Sequence, residues 1–167
     1  MTTEQKMTSR QEERQHLGTV TLTKGIGIGV IGSLAGTLVM DLVMVGEFSM
    51  MGLPLDTYLA LIGSVVGRGV PMGVIIHLVF GSLLGIVCGA AVLKVDALHI
   101  DSVRKGVGLG VLAGIATIPF CIVFAIITNV PIADMLTFSI PGHLTWGAVL
   151  GVIAGYGLRP ATAARGK

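Results

Sequence analysis

The sequence predicts an all-α integral membrane protein: a four-helix bundle made of two tandem two-helix repeats, with short interfacial or re-entrant helices on the outer side. Three observations carry that expectation. The chain has 167 residues, of which 53% are hydrophobic and only 12% charged, about half the charged fraction of a soluble domain; its mean hydropathy is +0.89. Its apolar residues lie in four long runs, Gly25–Val45, Met72–Leu93, Gly106–Thr128 and Gly142–Leu158. One string also recurs. His77 followed by Gly81, Gly85 and Gly89 matches His143 followed by Gly147, Gly151 and Gly155.

Residues 1–23 form a polar tail of mixed charge, in which Ser9-Arg10-Gln11-Glu12 is a weak capping box before a short helix. The first run reaches the roughly 20 helical residues that span a bilayer core. It follows a polar stretch and no small-x-small site comes after it, so it reads as a signal anchor and not a cleaved leader. Pro54 followed by Asp56 is a helix-start signal, and Asp56–Val66 is expected as a short apolar helix too brief to span. The second run then crosses back. The loop Val95–Val103 holds Asp96, His99 and Asp101 and reads as a solvated connection in preference to a metal site. Pro119 places a kink in the third run. Pro131 and Asp134 repeat the helix-start signal, with a shorter outer helix expected over Asp134–Ile140. The fourth run is short unless it begins near Phe138, and 161–167 form a second polar tail.

The repeat extends beyond the histidine strings. Lys24-Gly25-Ile26-Gly27-Ile28-Gly29 reads against Lys105-Gly106-Val107-Gly108-Leu109-Gly110. The transmembrane domain is therefore 24–160, with repeat one over 24–94 and repeat two over 105–158. Each unit crosses twice, so the two copies share an orientation and are related by a pseudo-two-fold axis along the membrane normal.

Charge gives the topology. Of the eleven Lys and Arg residues only Arg68 lies in an outer loop; the others sit in the tails or beside the middle loop. Cytoplasmic loops concentrate Lys and Arg, which predicts a multi-pass protein of the plasma (inner) membrane with both termini cytoplasmic. The net charge of +2 reflects that topology. Without a basic patch interleaved with aromatics, nucleic acid is not an expected partner. Cys88 and Cys121 fall at different depths in their helices, too far apart for a disulfide.

The glycines fall on helical faces. Gly25, Gly29, Gly32 and Gly36 share one face of the first helix, and Gly106, Gly110, Gly114 and Thr117 share the matching face of the third. Gly81, Gly85 and Gly89 line the second helix, and Gly147, Gly151 and Gly155 the fourth. Lipid gives helices no hydrophobic reason to associate, so small residues that admit close backbone approach must help. These faces form glycine zippers holding a tight bundle; a glycine-lined conduction path is the rival.

Ionisable groups at membrane depth are functional candidates. Asp41, His77, His143 and Cys121 all fall in the outer half of their helices. His77 and His143 could be axial ligands of a haem. The same residues with Asp41 could bind a transition metal. Asp41 and the histidines could instead relay protons or hold a substrate in a small transporter or channel. Against these stands a plain alternative: each His hydrogen-bonds across a close helix contact and does no more. Phe80 and Trp146 read as aromatic-belt or packing residues, and Met40, Met44, Met50 and Met51 as gap-fillers in preference to copper ligands. No nucleophile–base–orienter set, P-loop or zincin motif is present, so no enzyme is expected.

The string Pro141-Gly142-His143-Leu144-Thr145-Trp146, with His77 and the Met50-Met51-Gly52-Leu53-Pro54 turn, resembles a loose group of small prokaryotic multi-helix membrane proteins that includes the YagU-like inner-membrane family. The resemblance implies topology and brings no activity or cofactor with it. The expected function is a non-enzymatic membrane protein that acts through helix contacts in the bilayer, as a homo-oligomer or as a subunit of a larger membrane complex.

Overall fold

The computed structural model describes residues 3–158, with side chains from residue 22 onward except Asp96. The C-terminal tail 161–167, Arg159 included, lies outside the described residues. All described secondary structure is helical. It comprises α1 (Thr3–Met50), α2 (Thr57–Ser64), α3 (Val70–Lys94), a single 3-10 turn (Asp96–Leu98), α4 (Val103–Ala116), α5 (Ile118–Thr128) and α6 (Ile132–Gly157). Four stretches are long and apolar enough to cross a membrane: Leu22–Met50, Val70–Lys94, Val103–Thr128 and Ile132–Gly157. The chain is an integral membrane four-helix bundle.

Three boundaries differ from the sequence-based expectation. The first helix already begins at Thr3; the polar segment before Lys24 is rich in Glu, Gln, Arg and Met, good helix formers that continue the span. The third span is two helices broken at Thr117. Pro119 lacks an N–H and crowds the preceding turn, and the Thr117 hydroxyl bonds the Gly114 carbonyl at 2.6 Å. In the second half no separate outer helix forms. The expected Asp134–Ile140 segment is the opening stretch of α6, which runs through Pro141 without a break. Membrane helices tolerate an internal Pro where neighbouring helices enclose it. The short helix of the first half is α2, capped by Asp56 without a side-chain hydrogen bond. Asn129, at φ 55°, closes α5 in the left-handed conformation that lets the chain turn directly into α6.

The glycines decide the packing. All buried residues of α3 are glycines (Gly73, Gly81, Gly85, Gly89), and so are those of α4 (Gly106, Gly110, Gly114). A Cβ on Gly29 would strike the Gly85 carbonyl, and one on Gly89 the Gly25 carbonyl, which joins α1 to α3. On α4 and α6, Gly110 and Gly147 block one another, as do Gly106 and Gly151, and Val103 lies against Gly155. Gly114 abuts the His143 carbonyl. A Cβ on Gly32 would come within 3.0 Å of the Leu150 side chain and one on Gly36 within 2.7 Å of the Trp146 carbonyl, where α1 joins α6. α2 seats on α3 where Gly73 admits the Leu59 carbonyl.

The helices therefore follow one another in the order α3, α1, α6, α4–α5, with α1 and α6 central. At the centre the Trp146 indole N–H donates to Ser33 Oγ at 3.2 Å, and the Ser33 hydroxyl donates to the Gly81 carbonyl. This places Trp146 in the interior, 3% exposed, and not in an interfacial belt. Met40 and Met44 fill the same region as packing residues, whereas Met50 and Met51 are exposed. Between α3 and α4–α5 there is no extended contact, which leaves a cleft along one side of the bundle.

Candidate functional site

Two clusters of polar side chains face that cleft in the half of the bundle that carries α2. In the first, His77 on α3 and Asp41 on α1 form an ion-pair contact, Nδ1 to Oδ1, at 2.7 Å. With an Asp41 oxygen as acceptor, Nδ1 carries a proton, and in that tautomer Nε2 is an acceptor. Tyr58 of α2 sits on that nitrogen, its hydroxyl 3.3 Å from Nε2 and its ring edge-on to the imidazole. Burial, with the Asp41 charge adding, pushes the Tyr58 phenol above its ordinary pKa, so it stays a donor.

In the second cluster, His143 Nδ1 bonds the Ser139 carbonyl at 2.8 Å, one turn earlier on α6. A carbonyl also only accepts, so this ring too carries its proton on Nδ1. Its Nε2 lies 3.6 Å from the Cys121 sulfur of α5, which is 3.8 Å from the Thr117 carbonyl as well. The helix break at Thr117 thus sets where Cys121 meets α6.

Both histidines, Tyr58 and Cys121 line one cavity of about 550 Å³. The rest of its wall is largely apolar, with Phe80, Phe120, Phe124 and Phe138 contributing rings. Phe80 and Phe120 approach across the cleft, centroids 5.7 Å apart. The wall residues Phe120 and Ile127 are 55% and 62% exposed on the flank of the bundle. The cavity therefore opens sideways between α3 and α5, where a membrane would lie. A second cavity of about 270 Å³, lined by Cys88, Leu112 and Ala116, lies further along the same cleft toward the 3-10 turn.

No family model, curated protein or solved structure matches this chain.

The expected layer of Asp41, His77, Cys121 and His143 is resolved into two pairs, Asp41 with His77 and Cys121 with His143; the histidines and Cys121 line the cavity, and Asp41 stands behind His77. Among the described residues no three His, Cys, Asp or Glu side chains come together as a metal-binding group. The set Asp41, His77 and His143 is not assembled, because Asp41 is bonded to the far side of the His77 ring. The loop residue His99 is exposed and Asp101 lies 3.9 Å from Lys105, one helical turn away. Cys88 and Cys121 are both free.

Sequence reasoning missed Tyr58 and Ser139. Tyr58 is the single aromatic of α2 and so the feature of that helix most suited to carry a hydrogen bond inward. Ser139 contributes a backbone carbonyl, for which side-chain patterns hold no signal.

Proposed function

We propose that this protein is a non-catalytic membrane carrier or transporter that takes a small, largely apolar molecule from the bilayer into the lateral cavity, with His77, held from behind by Asp41, as its principal polar anchor. The cavity carries the proposal. It is pocket-sized, mostly apolar, and bears a few convergent polar groups, the general character of small-molecule sites. Its mouth between α3 and α5 favours a ligand that arrives from lipid. The excess of basic residues at the termini and the middle loop supports an inner-membrane protein with cytoplasmic termini and the cavity in the outer half.

Assembly through glycine faces has less support. Gly29, Gly32, Gly36, Gly81, Gly85, Gly89, Gly110, Gly114, Gly147, Gly151 and Gly155 all meet neighbouring helices within the chain, so they leave little small-residue surface for a homo-oligomer or a larger membrane complex. Haem or metal ligation by His77 and His143 is favoured by one observation. Both rings donate Nδ1–H to an acceptor, as ligating imidazoles do.

Native mass spectrometry of the full chain released from detergent tests the proposal. The wild-type protein is expected to carry a small apolar adduct that organic solvent extracts. Val123→Trp, which puts an indole in the mouth, should lose it. Equal occupancy in both proteins, or no adduct in either after incubation with inner-membrane lipid extract, overturns the proposal.

A further inference from the structure

We infer that the lateral cavity binds a lipid-soluble quinone and its hydroquinone, with the ring held between the His77–Tyr58 and His143–Cys121 pairs and the apolar chain directed along the α3–α5 cleft. The inference rests on the lateral-cavity reading and names its ligand.

Each pair combines an acceptor nitrogen with a protic donor. At one end Tyr58 O–H lies 3.3 Å from His77 Nε2; at the other the Cys121 sulfur lies beside the His143 ring, 3.6 Å from Nε2 and 3.8 Å from Nδ1, with a thiol that can turn to a ligand from its long 3.8 Å contact with the Thr117 carbonyl. An oxygen that alternates between carbonyl and hydroxyl needs such a pair. As a carbonyl it accepts from the phenol or the thiol; as a hydroxyl it donates to Nε2. With both groups on one cavity wall, each oxygen of such a ring has a partner. A fatty acid or a sterol presents only one polar end and leaves the second pair unused.

The same cavity wall carries the rings of Phe80, Phe120, Phe124 and Phe138, which suits a flat ring. The apolar second cavity continues the cleft past Phe80 and Phe120 and offers space to a chain. Haem fits the cavity's polar groups less well. Iron on His77 Nε2 would take the acceptor from the buried Tyr58 hydroxyl, and a buried donor without a partner is costly.

The test titrates the full chain in detergent with a short-chain benzoquinone, then with the same compound reduced by dithionite. The single tryptophan, Trp146, lies on α6 three residues after His143 and reports proximity by quenching. Saturable quenching is expected from the quinone, with affinity about tenfold weaker in His77→Gln and in His143→Gln, the loss of roughly one hydrogen bond in each. In the wild-type protein the hydroquinone should compete, and an alkylbenzene of equal chain length should not. That comparison needs no variant and stands even if one fails to fold. Unsaturable quenching, equal affinity in the folded variants, or competition by the alkylbenzene overturns the inference. So does uptake of haem with an absorbance band that both His variants lose. An extractable adduct by native mass spectrometry without quinone binding would retain the lateral site and remove the quinone. Absence of both would remove the lateral site too.

Discussion

Asp41 Oδ1 and His77 Nδ1 lie 2.7 Å apart, joining α1 to α3 at the wall of the cavity. The Asp41 side chain is 18% exposed and the His77 ring 13%, so neither is well hydrated and the contact fixes the ring's tautomer. Asp41→Ala leaves the Nδ1–H without its acceptor and should cost about 1–3 kcal/mol. Asp41→Asn keeps an oxygen there and should cost less. Unfolding in mixed micelles measures both. A ¹⁵N spectrum of the imidazole should show Nδ1 protonated in the wild type and a mixture of tautomers in Asp41→Ala.

The glycine contacts give a paired prediction. In Gly147→Ala the new methyl lands on the Gly110 carbonyl, backbone against backbone. The α4–α6 contact must widen, with a loss of stability of about 2 kcal/mol or more, within the range for overpacking. Gly27 has open space where its Cβ would go. Gly27→Ala should be neutral or stabilise the helix by up to about 1 kcal/mol. Equal damage from both substitutions, read by thermal melting, would show that Gly27 is covered by another molecule.

Ser33 links three helices by donating to the Gly81 carbonyl on α3 and accepting from Trp146 on α6. Ser33→Ala strands the buried indole N–H and should destabilise by about 1–3 kcal/mol. Trp146→Phe in the same background should then cost less than it does alone. A double-mutant cycle with a coupling energy of at least about 0.5 kcal/mol, the lower bound for residues in contact, is the expected outcome.

Orientation is open to labelling. Ser64, at the exposed end of α2, should react as Ser64→Cys with a membrane-impermeant maleimide added to intact cells, in a chain carrying Cys88→Ala and Cys121→Ala. The same reporter placed at Asp101, beside the 3-10 turn, should react only after the cells are opened. The reverse pattern would place the cavity in the cytoplasmic half.

Hydropathy alone located the four spans, because a bilayer demands about twenty apolar residues and little else in this chain supplies them. Depth was legible too: counting residues along oppositely directed helices put Asp41 beside His77. Rotation about each helix axis was not. Asp41 and His143 are equally reasonable partners for His77 by depth, yet the α1–α3 glycine contacts turn Asp41 toward it and the α4–α6 contacts turn His143 toward Cys121 on the neighbouring α5. The start of α6 was misjudged because Pro141 normally ends a helix in water. In this bundle buried Ser139 and Gly142 hold the turn on either side of it against the other helices.

The two glycine-sealed pairs, α1 with α3 and α4 with α6, meet along a single line where α1 lies on α6. The molecule is built like a bound book: two stiff covers, a spine of Met40, Met44, Trp146 and Leu150, and free edges that touch through the rings of Phe80 and Phe120. Among the described residues every close glycine contact lies inside a cover or along the spine, and none crosses the fore-edge. At the fore-edge the seam is made of two side chains and not of backbone, so it is the softest join in the molecule.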